Sequence, residues 1–315
     1  MQKKTPIIID CDPGIDDIAA LLLARQIPHF DVKAITTVAG NVPLAFTTQN
    51  ALQLLSFMDW DVPLARGAEG PLSRPLETAE DVHGKGGMCG LTLPAANRRP
   101  VDLPAWDLIY QIAKREGGKL EIVAVGPLTN IAVALAKYPD LTKLINRITI
   151  MGGAFLAGNT TPAAEFNIYV DPEAAKRIFT SGIPFYLCPL DVTHCGYITE
   201  EELREIGGFG SKESEFFRDI LLKGMAMSIY SGGKGVPLHD PLALLFAADP
   251  SCFTFTGCFV GVETQGPVTR GKTVTDVYSD KKLDKNGFYV QTVNRDTFIG
   301  HIKNLMSRYT DERKS

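Results

Sequence analysis

Residues 7–17, IIIDCDPGIDD, join a short β-branched run to a loop that carries four aspartates. The run Ile7–Ile9 is typical of a buried strand, and Ile18–Arg25, directly after the loop, is typical of a helix. A strand, an acidic loop and a helix in this order predict the first unit of an alternating α/β fold.

The same alternation continues along the chain. Further strands are predicted at Val32–Val38, Leu120–Val125 and Arg147–Met151, and further helices at Leu44–Phe57, Leu128–Lys137 and Pro172–Ser181. No linker, low-complexity segment or solenoid repeat divides the sequence. We therefore predict one α/β domain over residues 1–315, with a mainly parallel open sheet and helices on both faces. Its active site is expected at the carboxyl ends of the strands, where Gly, Asn or Asp follows each predicted strand.

Composition limits the classes of partner. The chain is 45% hydrophobic and 22% charged, with a formal charge of -4, which argues against a nucleic-acid polymer as ligand. The apolar run Ile18–Ala24 is far shorter than the ~20 residues of a membrane span. Ile7–Ile9 is too short for the core of a signal peptide. The six cysteines form no CxxC pair and are expected to be free thiols. We expect a cytoplasmic protein with no membrane partner.

The four aspartates within residues 10–17 favour a bound cation. Helix capping explains one or two of them, because a carboxylate at a helix start accepts backbone N–H groups. It does not explain four, since each pair of like charges at ~4 Å costs about 4 kcal/mol at an effective dielectric near 20. Oxygen ligands without neighbouring Cys or His favour calcium or magnesium.

Two later segments are open to either a structural or a functional interpretation. In His239-Asp240-Pro241, Asp240 fits a helix N-cap with Pro241 at the first helical position, or the group could belong to a site. Residues 158–167 are polar, with two asparagines and Glu165 around a phenylalanine. They fit a surface loop that runs into a helix capped at Asp171, or a set of side chains that bind sugar hydroxyls.

Taken together, these segments resemble the inosine–uridine nucleoside hydrolase family. The motifs that carry the resemblance, in family order, are Asp10–Asp17, Thr36–Asn41, His83-Gly84, Gly126–Asn130, Met151–Gly153, Ala164–Asn167, Asp171–Ala175 and His239–Pro241. They cover essentially the whole chain. Asn50–Leu55 and Val262–Gly266 resemble the subgroup that accepts both purine and pyrimidine ribonucleosides.

The resemblance implies an enzyme that hydrolyses the N-glycosidic bond of ribonucleosides to ribose and free base, with inversion at C1′. It implies one Ca²⁺ per chain, and the metal ligands would be Asp12, Asp17, Asp240 and the carbonyl of Val125. Asp12 would also be the general base. Asp10 would lie behind the metal ligands.

Further roles follow from the same resemblance. His239 would assist the departing purine. The ribose would be held by Asp16, Asn41, Asn159, Glu165, Asn167 and Asp240. The candidate contacts to the base are His83, Phe166 and Tyr230. The family also implies a homo-oligomer, and we expect a tetramer rather than a dimer.

Two other functions compete with this interpretation. An Asp-x-Asp sequence after the first strand also occurs in magnesium-dependent phosphatases of the haloacid-dehalogenase type. Those enzymes usually have Thr or Val where this chain has Pro13, and the continuation Gly14–Asp17 argues against them. A non-catalytic nucleoside-binding protein is the second alternative, although an uptake receptor would be expected to carry an export signal.

Overall fold

A computed structural model of the chain describes residues 4–227, 234–277 and 283–312. The strands are β1 Thr5–Cys11, β2 Phe30–Thr37, β3 Leu64–Arg66, β4 Leu120–Ala124, β5 Ile145–Met151, β6 Phe185–Cys188, β7 Tyr197–Ile198, β8 Val236–Pro237, β9 Phe253–Cys258, β10 Val260–Val262, β11 Thr273–Thr275 and β12 Gly287–Val293. The helices are α1 Ile15–Gln26, α2 Leu44–Phe57, α3 Glu80–His83, α4 Ala105–Glu116, α5 Thr129–Lys137, α6 Phe166–Val170, α7 Pro172–Phe179, α8 Leu190–Thr193, α9 Glu200–Gly207, α10 Lys212–Met227, α11 His239–Ala248 and α12 Arg295–Glu312.

Eight strands form one central sheet in the order β3-β2-β1-β4-β5-β6-β12-β9. Neighbouring strands are parallel except for β12 and β9, which pair antiparallel. The predicted mainly parallel sheet is confirmed. Its antiparallel edge strand β9 was not predicted.

Helices cover both faces of the sheet, because the apolar side chains of β1 point to both faces. Ile7 and Ile9 point into one hydrophobic core, which also contains apolar residues of α1, α2 and α9 to α12. Ile8 points into a second core, built with α4, α5 and α7. Because successive side chains of a strand point to opposite faces, a strand without polar interruption must be buried on both sides.

Local sequence signals set several helix ends. α2 has the predicted bounds, and α7 begins after Asp171, whose carboxylate accepts the Ala174 N–H at 2.9 Å. Of the two interpretations of Asp240, the structure does not support the N-cap, because α11 already begins at His239 and Leu238 precedes it. Asp240 is therefore a residue of the first turn of α11, and its carboxylate does not occupy the N-cap position.

Two expectations from composition can be compared with the fold. All six cysteines are free thiols, as predicted. Among the helices of residues 4–227, 234–277 and 283–312, none combines the length and apolar character that a bilayer crossing requires.

Candidate active site

The carboxyl ends of the parallel strands meet at one edge of the sheet, and a cavity of about 290 Å³ opens there. Cys11 at the end of β1 lies beside Thr37 of β2, and Asp10 lies beside Ala124 of β4. The loops that follow these strands are thereby brought together. The cavity is located where the sequence pattern predicted an active site.

The loop after β1 is folded around Asp17. The side chain of Asp17 accepts the backbone N–H groups of Asp12 and Gly14, both at 3.0 Å, and the side-chain amide of Asn41 at 3.0 Å. These three donors compensate for the full burial of the carboxylate. The capping interpretation therefore holds for Asp17, within the first turn of α1.

Asp12 is also fully buried, and its two oxygens have unequal surroundings. Oδ2 accepts the backbone N–H of Asn41 at 2.7 Å, whereas Oδ1 has no hydrogen-bond partner among the described residues. A Cβ atom at Gly40 would lie 2.1 Å from Oδ2, and one at Gly126 would lie 2.6 Å from Oδ1. Glycine at both positions lets the loops after β2 and β4 close around this carboxylate.

Three carboxylates form a group that fits a cation. Oxygen atoms of Asp16, Asp17 and Asp240 lie within 4.8 Å of one another. Burial and then the charge of Asp16 raise the pKa of Asp17 to about 7, and the same two causes raise the pKa of Asp240. Buried carboxylates that repel each other are stabilised by a positive ion. The oxygen-only donors and the unpartnered Oδ1 of Asp12 fit a hard divalent cation.

The three carboxylates of this group differ in one member from the three carboxylates of the predicted ligand set. Asp16 lies with Asp17 and Asp240, whereas the prediction had Asp12 in that place. Val125, the other predicted ligand, lines the cavity. Its carbonyl oxygen accepts the side-chain amide of Asn167 at 2.9 Å and keeps a second lone pair for another contact.

The wall after β5 is fixed by Glu165. Its carboxylate accepts the backbone N–H groups of Gly153 at 2.9 Å, Asn167 at 2.8 Å and Ile168 at 3.1 Å. Burial raises the pKa of Glu165 to about 7. Nearby, Asn159 Oδ1 accepts the backbone N–H of Phe166 at 3.0 Å. These contacts hold a polar wall whose remaining side-chain atoms can bind hydroxyl groups.

Two histidines line the same cavity. Nδ1 of His83 accepts the backbone N–H of Ile15 at 3.1 Å, and Nδ1 of His239 is hydrogen bonded to the hydroxyl of Thr193 at 2.7 Å. Burial is the main cause that lowers the pKa of each ring to about 4. Both rings are therefore neutral near pH 7. His83 keeps its N–H at Nε2, whereas the Thr193 hydroxyl is compatible with either tautomer of His239.

Asp10 lies behind the acidic loop and not on the cavity wall. It is fully buried, and its Oδ1 accepts the Thr36 hydroxyl and the side-chain amide of Asn130, the latter at 2.8 Å. Burial raises its pKa to about 7. These contacts tie the end of β1 to β2 and α5.

Most of the predicted site residues share the cavity. The predicted residues that line it are Asp16, Asn41, His83, Val125, Asn159, Glu165, Phe166, Asn167, His239 and Asp240. Asp10, Asp12 and Asp17 are buried behind this wall. Phe166 is half-buried at the start of α6. Tyr230, predicted as a contact to the base, lies outside the described residues.

The apolar part of the cavity lining was missed in the sequence. Its apolar lining includes Ile15, Val82, Leu221, Gly224 and Val236. Leu221 and Gly224 belong to α10, a helix whose apolar residues look like ordinary core positions in the sequence. Such a helix carries no signal that separates core residues from cavity residues.

Comparisons with known proteins agree with this geometry. Residues 7–300 match the family model described as inosine-uridine preferring nucleoside hydrolase. The chain is 42% identical to the pyrimidine-specific ribonucleoside hydrolase RihA of Photobacterium profundum, over 96% of this chain and 99% of that protein. It is 45% identical to the non-specific ribonucleoside hydrolase RihC of Salmonella schwarzengrund, over 88% and 89%. Among solved structures, the purine-preferring ribonucleoside hydrolase from Gardnerella vaginalis has a TM-score of 0.91 and 30% identity, over 98% and 99%.

Proposed function

The chain belongs to the family of inosine-uridine preferring nucleoside hydrolases and is an N-glycosyl hydrolase of ribonucleosides, and we propose that its reaction depends on calcium and inverts C1′. The observation that carries the proposal is the group of Asp16, Asp17 and Asp240 within 4.8 Å, beside a polar cavity wall. The relatives are named as pyrimidine-specific, purine-preferring or non-specific hydrolases. Similarity to them therefore does not indicate which base this chain prefers.

Calcium would be held by Asp12, Asp17, Asp240 and the carbonyl of Val125, with Asp16 beside them. Calcium accepts about 6–8 oxygens in flexible geometry, and this set mixes carboxylates with a backbone carbonyl. Bound there, the ion would lower the pKa of the attacking water and orient the sugar hydroxyls.

Asp12 is proposed as the general base. Its Oδ1 has no hydrogen-bond partner among the described residues, so it is the oxygen that can take a proton from water. Without a cation, burial and the charge of Asp17 raise the pKa of Asp12, and a bound calcium would offset that rise, which keeps the carboxylate ionised and able to accept a proton. Attack by one water opposite the departing base inverts the configuration at C1′.

The ribose is proposed to lie against Asp16, Asn41, Asn159, Glu165, Asn167 and Asp240. Breaking the C1′–N bond develops positive charge on the sugar. Buried carboxylates that are already in place stabilise that charge without reorganisation of solvent. The same side chains accept from and donate to the sugar hydroxyls, which favours ribose over sugars that lack one.

The departing base is proposed to lie between His239 and the apolar cavity residues Leu221 and Gly224 of α10. Burial lowers the pKa of His239 to about 4, so a neutral ring would assist the departing base as a hydrogen-bond partner. Nδ1 is bonded to Thr193, which leaves Nε2 for the base. In the tautomer that has its proton on Nε2, the ring would donate a hydrogen bond to the leaving nitrogen and stabilise the negative charge that develops there.

The competing phosphatase function has no support in this geometry. Its nucleophile would be the first aspartate of the Asp-x-Asp sequence, which is Asp10 near the end of β1. That carboxylate is fully buried, bonded to Thr36 and Asn130, and absent from the cavity wall. A nucleoside-binding protein without catalytic activity would release no ribose or free base. Product formation therefore distinguishes it from a hydrolase.

The decisive experiment is a nucleoside panel with ribose release as the readout. Inosine, uridine, cytidine, adenosine and xanthosine are compared, each before and after chelation and after calcium is restored. We expect ribose release that stops on chelation and returns with calcium. Full activity after exhaustive chelation would overturn the calcium proposal, and hydrolysis of a generic phosphate ester would reopen the phosphatase alternative. Proton NMR of the first ribose anomer formed tests inversion.

We also propose a cytoplasmic homotetramer that serves nucleoside salvage. The support is the family resemblance of the sequence. Light scattering should give a mass near four times the 34.3 kDa of the chain. Two times that mass would indicate a dimer, and cell fractionation tests the location.

A further inference from the structure

α2 carries three buried polar side chains, which belong to Thr47, Thr48 and Asn50. Buried polar groups of this kind need hydrogen-bond partners elsewhere in the fold. Thr48 is hydrogen bonded to the hydroxyl of Thr37 at 2.9 Å. Thr47 donates to the carbonyl of Val38, directly after β2, at 3.0 Å. These two contacts bind α2 to β2 and the start of the loop that follows it.

Asn50 has a different pair of partners. Its amide nitrogen donates to the carbonyl of Pro13 at 3.0 Å and to the carbonyl of Gly86 at 2.8 Å. Carbonyl oxygens can only accept, so the amide nitrogen must face them and both of its N–H groups are used. Pro13 lies in the acidic loop, and Gly86 lies in the turn 84–90 that follows α3. We call this pair of hydrogen bonds the Asn50 bridge.

The two bridged segments both build the active site. The acidic loop carries three of the proposed metal-binding aspartates. The turn 84–90 is bonded to the end of α3, because the N–H of Cys89 donates to the carbonyl of His83 at 2.9 Å. α3 in turn contributes side chains to the cavity wall. The contact between Ile15 and His83 joins the same two segments at a second point. The spacing between the acidic loop and this wall is therefore set partly by Asn50.

The close approach of the segments requires a glycine in the turn. Gly87 has a φ of +83°, and a Cβ atom there would lie 2.8 Å from Asn50 Nδ2 and 3.1 Å from the carbonyl oxygen of Pro13. Gly90, in the same turn, has a φ of +79°, but a Cβ atom there meets nothing within 4 Å. Both positions have the backbone conformation that favours glycine. Only at Gly87 would a side chain also press against the Asn50 bridge.

We propose that Asn50 is a positioning residue that holds the acidic loop in register with the cavity wall, and that Gly87 permits this approach. Asn50 acts through the two carbonyls and not by contact with the substrate. Without the bridge, the buried carbonyl of Pro13 loses this donor, and the loop must shift to find another. The consequence for calcium and turnover rests on the proposed function.

Asn50→Leu tests the bridge against a matched control. Leucine has a similar volume and no donor, whereas Thr48→Val removes one buried hydrogen bond from the same helix. Both variants should lower the Tm by a few degrees. Only Asn50→Leu should raise the calcium Kd of the chelator-treated protein, by about tenfold in titration calorimetry. Its kcat at saturating calcium should fall by a similar factor, because the aspartates of the loop are displaced.

A purely structural role for Asn50 gives a different pattern. Asn50→Leu would then resemble Thr48→Val, with a lower Tm but with the wild-type calcium Kd and kcat. That result would refute the proposal.

Gly87→Ala attacks the same bridge from the other side. Gly90→Ala is its control, since both variants place alanine at a positive φ in one turn and differ in the contact with Asn50. We expect the calcium Kd to rise and kcat to fall in Gly87→Ala, as in Asn50→Leu, and both to stay near wild type in Gly90→Ala. Equal effects of the two glycine variants would mean that backbone strain disturbs the site, and the proposal would fail.

A double-mutant cycle needs no calcium. Urea unfolding of the metal-free protein gives the losses of unfolding free energy for Asn50→Leu, Gly87→Ala and the double variant. Because both changes break one bridge, the double variant should lose less than the sum of the single losses. Additive losses overturn the bridge. A wild-type protein that binds no calcium would instead refute the proposed function, and the cycle would still decide whether the bridge exists.

Discussion

Asp12, Asp16 and Asp17 are close in sequence, yet their carboxylates have different surroundings. Asp17 is surrounded by donors from its own loop and from Asn41, Asp12 keeps one unpartnered oxygen, and Asp16 lines the cavity. The sequence identified the acidic loop but could not rank its members. The ranking depends on which backbone N–H groups the fold turns towards each carboxylate.

Asp12→Asn should abolish most turnover while the fold is retained. The amide is nearly isosteric but cannot take the proton, so kcat should fall at least ~10²-fold. Steady-state assays with inosine at saturating calcium measure the loss, and metal analysis shows whether the ion is still bound. Asp31→Asn makes the same change on β2, where the side chain is 45% exposed and ion-paired with Lys33, and is the matched control. Near-normal turnover in the metal-loaded variant would exclude Asp12 as the base.

His239→Ala should reduce purine turnover more than pyrimidine turnover. A purine carries an acceptor nitrogen, N7, on the side away from the sugar bond, and a pyrimidine has no equivalent nitrogen there. Loss of the donor should lower kcat on inosine by about 10²-fold, with a smaller effect on uridine. His301→Ala, on α12, controls for the substitution itself. Equal losses on both substrates, with weaker calcium retention, would mean that His239 only supports Asp240.

Four elements at the start of the chain could be predicted because their signals are local, whereas β3, α3 and α4 were missed. β1, α1, β2 and α2 follow from apolar runs, spacing and the residues that break them. The second half was harder. α9 has a capping box formed by Thr199 and Glu202, a signal that the sequence analysis did not use. α10 and α12 are helices without a distinctive motif, and β9 and β12 pair antiparallel. Such elements are defined by the partner they pack against, which a single sequence does not specify.

Gly126→Ala should disturb the site through the loop that follows β4. The new Cβ atom would lie 2.6 Å from Asp12 Oδ1, so either the carboxylate or the loop must move. A displacement near 1 Å can cost about 10²-fold in turnover, and the crowding should cost about 1–3 kcal/mol of unfolding free energy. Gly86→Ala, where a Cβ atom meets nothing within 4 Å, is the control. Wild-type kcat in Gly126→Ala would show that the close approach is not required.

The whole molecule is needed to assemble the acidic group. Asp16 and Asp17 follow β1, whereas Asp240 lies in the first turn of α11, more than two hundred residues later. α1 and α11 lie on the same face of the sheet and share one hydrophobic core. The proximity of these carboxylates is a property of that packing. In the sequence alone, Asp240 fitted a helix cap equally well.

Calcium binding should therefore stabilise the entire fold. Without a cation, burial and mutual repulsion raise the pKa values of Asp17 and Asp240, so folding works against three crowded carboxylates. An ion that binds only the folded state adds about 2.7 kcal/mol at roughly 100 times its Kd. Tm should fall on chelation and rise with added calcium, as measured by calorimetry.

A charge-removing pair of variants tests whether this stabilisation comes from the acidic group. Asp240→Asn removes one of the repelling charges and one proposed ligand, so its metal-free Tm should be higher and its response to calcium smaller than in the wild type. Asp296→Asn, whose side chain is 94% exposed on α12, makes the same charge change away from the site and should respond like the wild type. If chelation leaves the Tm and the turnover of the wild type unchanged, the carboxylates are not a calcium site, and their charges must be neutralised by protons instead.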